Sequence, residues 1–237
     1  MAKLSGPLGS KLRGKVGEVV AAKTVTGETA IRSYQPVVKN PRTARQMESR
    51  NRMAMASALG AALASVIGIG YAKAASAARR YPRNLFVKRT ADHDTTPITF
   101  SGGEASVDYT AIKVSQQAGV VGMPTFGTAT SASGKIHVVL NSYPAATDPD
   151  AYGMGVVVCA YNEDEKICLV AQGLAPDVRS NGLDINVPAN LIGLEFKIYG
   201  FCKEVLTAHT DIQTETEPWK YPSNTSGSLY VGAVTAA

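Results

Sequence analysis

The chain has 237 residues, 45% of them hydrophobic, with 24 Lys/Arg against 19 Asp/Glu for a net charge of +5. That composition excludes an intrinsically disordered chain and is ample for a packed core. The charge is polarised: residues 1–90 hold 17 Lys/Arg and 3 Asp/Glu, and the rest of the chain holds 7 and 16, so the two parts are suited to different partners.

Residues 6–34 are punctuated by Gly6, Gly9, Gly14, Gly17 and Gly27 and hold two β-like runs, 16–25 and 29–34, around a Thr26-Gly27-Glu28 turn. This predicts a hairpin or extended arm, which is marginal by itself in water and needs something to pack on. Gly9 to Lys15 imitates the start of a phosphate-binding loop. Val16, however, stands where Ser or Thr must reach Mg²⁺, no buried strand precedes it, and a glycine-rich basic arm explains every residue.

Asn40-Pro41 and Thr43-x-x-Gln46 predict a helix starting within residues 40–44. It should run to about Tyr71, and on to Arg80 after a break near Gly68 and Gly70. Residues 53–72 carry no charged side chain, which is length enough for a bilayer span. Only Leu59, Leu63, Val66, Ile67 and Ile69 are large aliphatics there, and small residues gain little from lipid. The pattern favours a packing helix, with Ala54, Ala58, Ala61, Ala62 and Ser65 as a close-approach face. A membrane partner is the least favoured reading.

Residues 80–94 read as a connector containing Pro82. Arg42, Arg45, Arg50, Arg52, Arg79, Arg80, Arg83, Lys88 and Arg89 form a basic set for phosphates or for an acidic partner. Tyr34, Tyr71, Tyr81 and Phe86 are isolated and give single-stranded bases no stacking platform. A solvated or acid-pairing role therefore ranks above nucleic acid.

Beyond about residue 96 the pattern is β. Candidate strands are 98–100, 106–114, 136–140, 154–161, 166–172, 183–187, 195–202 and 229–234, with Asn162-Glu163-Asp164-Glu165 as the clearest hairpin loop. The expected fold is mainly β with an α-helical N-terminal segment. Residues 1–95 form a basic hairpin, long helix and connector, an assembly arm; residues 96–237 form an Ig-like β-sandwich.

Nothing in the motifs calls for a catalyst, a cofactor or a metal. His93, His137 and His209 lack metal-ligand spacing, and Asp92-His93-Asp94 reads as solvated connector. Asp148-Pro149-Asp150 and Asn181-Gly182-Leu183-Asp184 read as turns, and no nucleophile elbow is present. Cys159, Cys168 and Cys202 read as free thiols in a reducing compartment, with a Cys159–Cys168 disulfide across one hairpin left open. Asn224-Thr225-Ser226 is a glycosylation sequon only in a secreted chain, and residues 1–15 contain no apolar core of a secretory signal. Trp219 reads as a core or edge anchor.

Three stretches carry a family resemblance: GKVGEVVAAKTVTGETAIRSYQPVVKNPRTARQMESR, VVVCAYNEDEKICL and SGSLYVGAV. They resemble a family of proteins of unknown function encoded by Bacteroidota and their phages. The resemblance implies a basic hairpin and helix joined to an Ig-like domain, and it implies no catalytic residues. The expected function is a non-enzymatic structural subunit of a virion or similar assembly, capsid-, tail- or filament-associated, self-associating through the N-terminal arm and helix. Its expected partners are copies of itself and other assembly proteins, and its expected location is the virion or the host bacterial cytoplasm. The alternative is a nucleic-acid-binding packaging protein using the basic third.

Overall fold

The computed structural model describes residues 2–4, 14–23, 29–35, 42–92, 97–101, 104–119, 121–147, 151–206 and 223–237. The chain begins with a small antiparallel sheet of β1 (Ala2–Leu4), β2 (Gly14–Val16), β3 (Val19–Lys23) and β4 (Thr29–Ser33), in the order β1-β4-β3-β2. The run expected over 16–25 is divided. Val16 pairs with Val19 around a two-residue turn at Gly17 and Glu18, where Gly17 takes φ +59, a left-handed conformation that glycine adopts without steric cost. The Thr26-Gly27-Glu28 turn, most of the phosphate-loop-like stretch, Asn40-Pro41, His93, Asp148-Pro149-Asp150, His209 and Trp219 lie outside the described residues.

Four helices follow: α1 (Ala44–Ala62), α2 (Ala64–Gly70), α3 (Ala72–Ala77) and α4 (Pro82–Thr90). Thr43 caps α1, its hydroxyl accepting from the Gln46 N–H at 3.4 Å, so the helix starts where its capping residues put it. The expected break follows Gly70, where α2 ends and α3 begins beyond Tyr71. An earlier one, which the glycines do not signal, falls at Leu63, where α1 and α2 meet at 86°. One straight helix buries a single stripe; the bend lets Leu59, Leu63, Val66 and Ile67 all reach the interior. The expected connector over 80–94 contains α4, which opens with Pro82 at its first turn and buries Leu85 and Phe86. Proline suits that position because the first amides of a helix have no intrahelical acceptor.

The β region opens with an antiparallel pair, β5 (Ile98–Ser101) and β6 (Glu104–Val107). The strand expected over 106–114 stops at Val107 and gives way to a 3₁₀ turn at Tyr109–Ala111. Next come β7 (Thr125–Phe126), β8 (Thr130–Ala132), β9 (Lys135–Val138), β10 (Leu140–Ser142), β11 (Ala151–Asn162), β12 (Ile167–Leu174), α5 (Ala175–Asn181), β13 (Leu183–Asn186), β14 (Glu195–Leu206) and β15 (Leu229–Thr235). The central antiparallel sheet has the order β12-β11-β14-β15, and a second sheet has the order β13-β9-β8. The expected hairpin loop joins β11 to β12, with the Asn162 side-chain oxygen accepting from the Glu165 N–H at 2.7 Å.

The central sheet is covered on both faces. Val156, Val158, Ala160, Phe196, Ile198 and Cys202 point into one core, shared with Ile136 and Val138 of β9, Ile185 of β13 and Val178 of α5. Val157, Cys159, Tyr161, Tyr199 and Phe201 point into another, shared with Leu59, Leu63, Val66 and Ile67 of the helices and Phe86 of α4. This explains the unbroken run VVVCAY: a strand buried on both faces has no polar face to alternate with. The fold is mainly β with several helices, and the helical segment is an integral layer. The helices before residue 95 and the central sheet after it share one of the two cores.

A buried polar seam ties the layers together. The Gly70 carbonyl, at the end of α2, accepts from the Gln116 amide at 3.0 Å and the Ser115 hydroxyl at 3.1 Å. Ser226 Oγ accepts from the Cys202 amide, and Ser228 Oγ from the Val114 amide, each at 2.9 Å. Glu204, fully buried, accepts from the Thr147 hydroxyl at 2.7 Å and from the Asn224 amide. The sequon asparagine is thus enclosed and engaged, which removes it as a glycan acceptor in the folded chain.

Candidate functional site

The helical layer holds both sets of residues that the sequence singles out. Its cations are well separated. Arg42 and Arg45 stand exposed at the start of α1, Arg50 one turn on, Arg79, Arg80 and Arg83 at the corner between α3 and α4, and Lys88 and Arg89 in the last turn of α4. The corner is a Schellman-type ending: the Arg80 amide reaches the Ala75 carbonyl at 2.9 Å and the Arg79 amide reaches that of Ser76 at 3.0 Å. It places Arg79 at φ +51. Arg83 donates to the Ser57 carbonyl at 3.1 Å, clamping α4 on α1.

Arg52 differs from the other eight. It is buried, donates to Glu48 at 2.8 Å and lies over the Phe100 ring at 5.4 Å. Its contacts are internal, and it is turned away from any external phosphate. Between residues 42 and 92 there are ten Lys/Arg and two Asp/Glu, so the layer's outer surface is strongly positive, although its cations do not converge on one cradle.

The small-residue face divides in the same way. Ala54, Ala58, Ala61 and Ser65 are exposed and Ala62 is half-buried. The close helix approach occurs on the opposite face, at Gly60, where an added Cβ would lie 3.1 Å from Val87 and 3.2 Å from Phe86. The sequence supplied small residues on both faces, and only the positions of the aliphatics, Leu59 and Leu63, mark which one turns inward.

A groove of about 470 Å³ opens beside this layer, lined by Tyr71, Arg89, Thr90, Asp92, Pro97 and Lys113, among others. Tyr71 donates to the Lys113 carbonyl at 2.8 Å, and burial pushes its phenol up to about 12 against the opposing charge of Arg89. It is a structural hydroxyl with no tendency to ionise near neutrality. On the far side of the molecule His137 Nδ1 lies 2.7 Å from Asp184, which Lys135 also meets at 3.3 Å. The hydrogen bond from His137 holds the Asp184 carboxyl below its ordinary range. No local motif signals this cluster, because β9 and β13 pair from distant stretches. It is open to solvent, and the His137 ring covers Gly182.

The three cysteines are free. Cys159 faces Val170 and Cys168 faces Tyr161 in the ladder, so the two thiols are diagonal neighbours and not directly opposite. Interaction with Cys168 and burial both push the Cys159 thiol up, and burial pushes Cys202 up to about 12. Such thiols are poor nucleophiles. Among the described residues no cluster of three or more His, Cys, Asp or Glu could hold a metal ion. No single described helix is long and apolar enough to cross a membrane; α1 and α2 meet that measure only together, across their 86° bend.

A family model describing a family of unknown function, DUF6266, matches residues 11–209. The chain belongs to the DUF6266 family. The matched stretch of this DUF6266 chain includes the whole helical layer and the strands from β5 to β14; β15 lies beyond it. No curated protein and no solved structure matches the chain.

Proposed function

We propose that this protein is a non-enzymatic structural subunit of a phage virion or similar assembly that associates with copies of itself. The observation that carries the reading is the β1–β4 sheet. It contributes no described residue to either hydrophobic core, its strands are three to five residues long, and Val19 and Tyr34 beside it are exposed. A small sheet of that kind gains stability from an external partner. The packing of β13-β9-β8 across the central sheet supports an Ig-like sandwich as the body of the subunit. The free, high-pKa thiols favour a reducing cytoplasm as its place of synthesis. Sizing and electron microscopy of concentrated full-length protein should show closed rings, tubes or discrete oligomers; monomers at every concentration would refute the reading.

The exposed cations of the helical layer favour a second reading, a contact to nucleic acid. It requires affinity for duplex DNA or RNA that falls steeply with salt. Absence of binding at low salt ends it.

A further inference from the structure

The corner between α3 and α4 carries positive charge that the helices around it do not offset. Residues 49–91 hold eight Lys/Arg and no Asp or Glu. α3 and α4 pack on α1 and α2, which belong to the same stretch apart from the first turns of α1. Glu48, in those turns, is bound to Arg52, and Asp92 lies past the far end of α4. Arg79, Arg80 and Arg83 are all exposed at the corner. Arg79 and Arg80 have no ion pair among the described residues. Arg83 donates to the Ser57 carbonyl and keeps the other N–H donors of its fork for a ligand.

Tyr81 stands among these arginines. It is 59% exposed, more than any other large hydrophobic side chain among the described residues. It occupies the N-cap of α4, yet its side chain makes no capping bond. The other aromatics of the basic part are engaged: Tyr71 meets Phe86 edge-on in the core, and Lys15 covers the Tyr34 ring at 3.6 Å. Tyr81 is the ring left with an open face. Its backbone is held on both sides, by the Schellman-type ending of α3 and by the Arg83 clamp on α1.

We propose that this corner is a contact for single-stranded nucleic acid, with a base stacked on Tyr81 and the flanking phosphates held by Arg79, Arg80 and Arg83. The inference rests on the nucleic-acid reading above and gives that reading a place and a strand type. Guanidinium forks fit phosphate oxygens in pairs, and an exposed ring beside them accepts any unpaired base. In a duplex the bases are already stacked on one another, so the ring would have nothing to receive. An acidic peptide would use the arginines and leave the ring in water. A bilayer would need more apolar surface than one ring preceded by the exposed Ser76, Ala77 and Ala78 supplies.

The test is binding of the full-length chain to a labelled oligo(dT), followed by fluorescence anisotropy over a range of salt. Tyr81→Ala should weaken binding about fivefold or more and leave the salt slope unchanged, while Tyr81→Phe, which keeps the ring, should bind within about twofold of wild type. Arg80→Gln should lower the slope by about 0.7, the loss of one phosphate contact on a single strand. A duplex of the same length should bind more weakly and be insensitive to Tyr81→Ala. Oligo(dT) binding that none of these substitutions alters would overturn this inference while the nucleic-acid reading stands. Binding to phosphatidylglycerol vesicles that Arg80→Gln weakens, with none to oligo(dT), would assign the corner to a membrane and overturn it as well. No binding to any nucleic acid at low salt would sink both.

Discussion

Gly70 and Ser115 touch at a distance that admits no side chain between them. The Ser115 hydroxyl donates to the Gly70 carbonyl at 3.1 Å, and a Cβ on Gly70 would lie 2.4 Å from the Val114 carbonyl oxygen and 2.8 Å from Ser115 Cα. Both neighbours are backbone and neither can rotate away. Gly70→Ala should therefore destabilise the protein by about 2 kcal/mol or more, from overpacking and from loss of the seam's hydrogen bonds. Denaturant titration reads this; a loss below about 0.5 kcal/mol would show that the seam gives way easily.

Phe86 joins α4 to the rest of the helical core. It is fully buried and meets Tyr71 edge-on, with ring centroids 5.9 Å apart. Phe86→Ala should cost about 3–5 kcal/mol. If the helices were a detachable arm, the central sheet would unfold at its original midpoint in this variant. A single transition, shifted alike by circular dichroism and by hydrogen exchange of the central-sheet amides, is the expected result.

Arg79 holds a left-handed conformation, φ +51, at the end of α3. A side chain there costs about 1 kcal/mol relative to glycine, so Arg79→Gly should raise the thermal midpoint. The same change removes one exposed cation. Should nucleic acid bind through this corner, affinity and its salt slope would fall together while stability rises.

The Asp184 carboxyl, lowered chiefly by its hydrogen bond to His137, predicts an acid limb of stability. A depressed carboxyl contributes stability that is fully present above its unfolded-state value and is lost as pH falls through its folded-state value. The side chain is 44% exposed, so solvent screening holds the contribution below about 1 kcal/mol. Asp184→Asn should lower stability at neutral pH by up to that amount and flatten the fall of stability in the acid range, so that variant and wild type converge at low pH. An identical acid limb in wild type and variant would remove the cluster from the account.

Local chemistry alone fixed much of this protein: the α1 start at Thr43, the hairpin loop at Asn162 to Glu165, free cysteines, and the main strands of the central sheet. Each is set by side chains within a few residues of one another, or by a pattern contained in one strand. Pro82 also announced α4, to a reader who takes a proline as a beginning as readily as an interruption. Tertiary packing decided the rest. Small residues occupy both faces of α1, and the packing of α4 selected Gly60 over Ala54 and Ala58 for close contact. Arg52 was withdrawn from the basic set by Phe100, far along the chain. The bend at Leu63 exists because two successive helices must cover one sheet. The order β12-β11-β14-β15 is likewise a property of the tertiary fold, because no stretch of sequence by itself says which strands become neighbours.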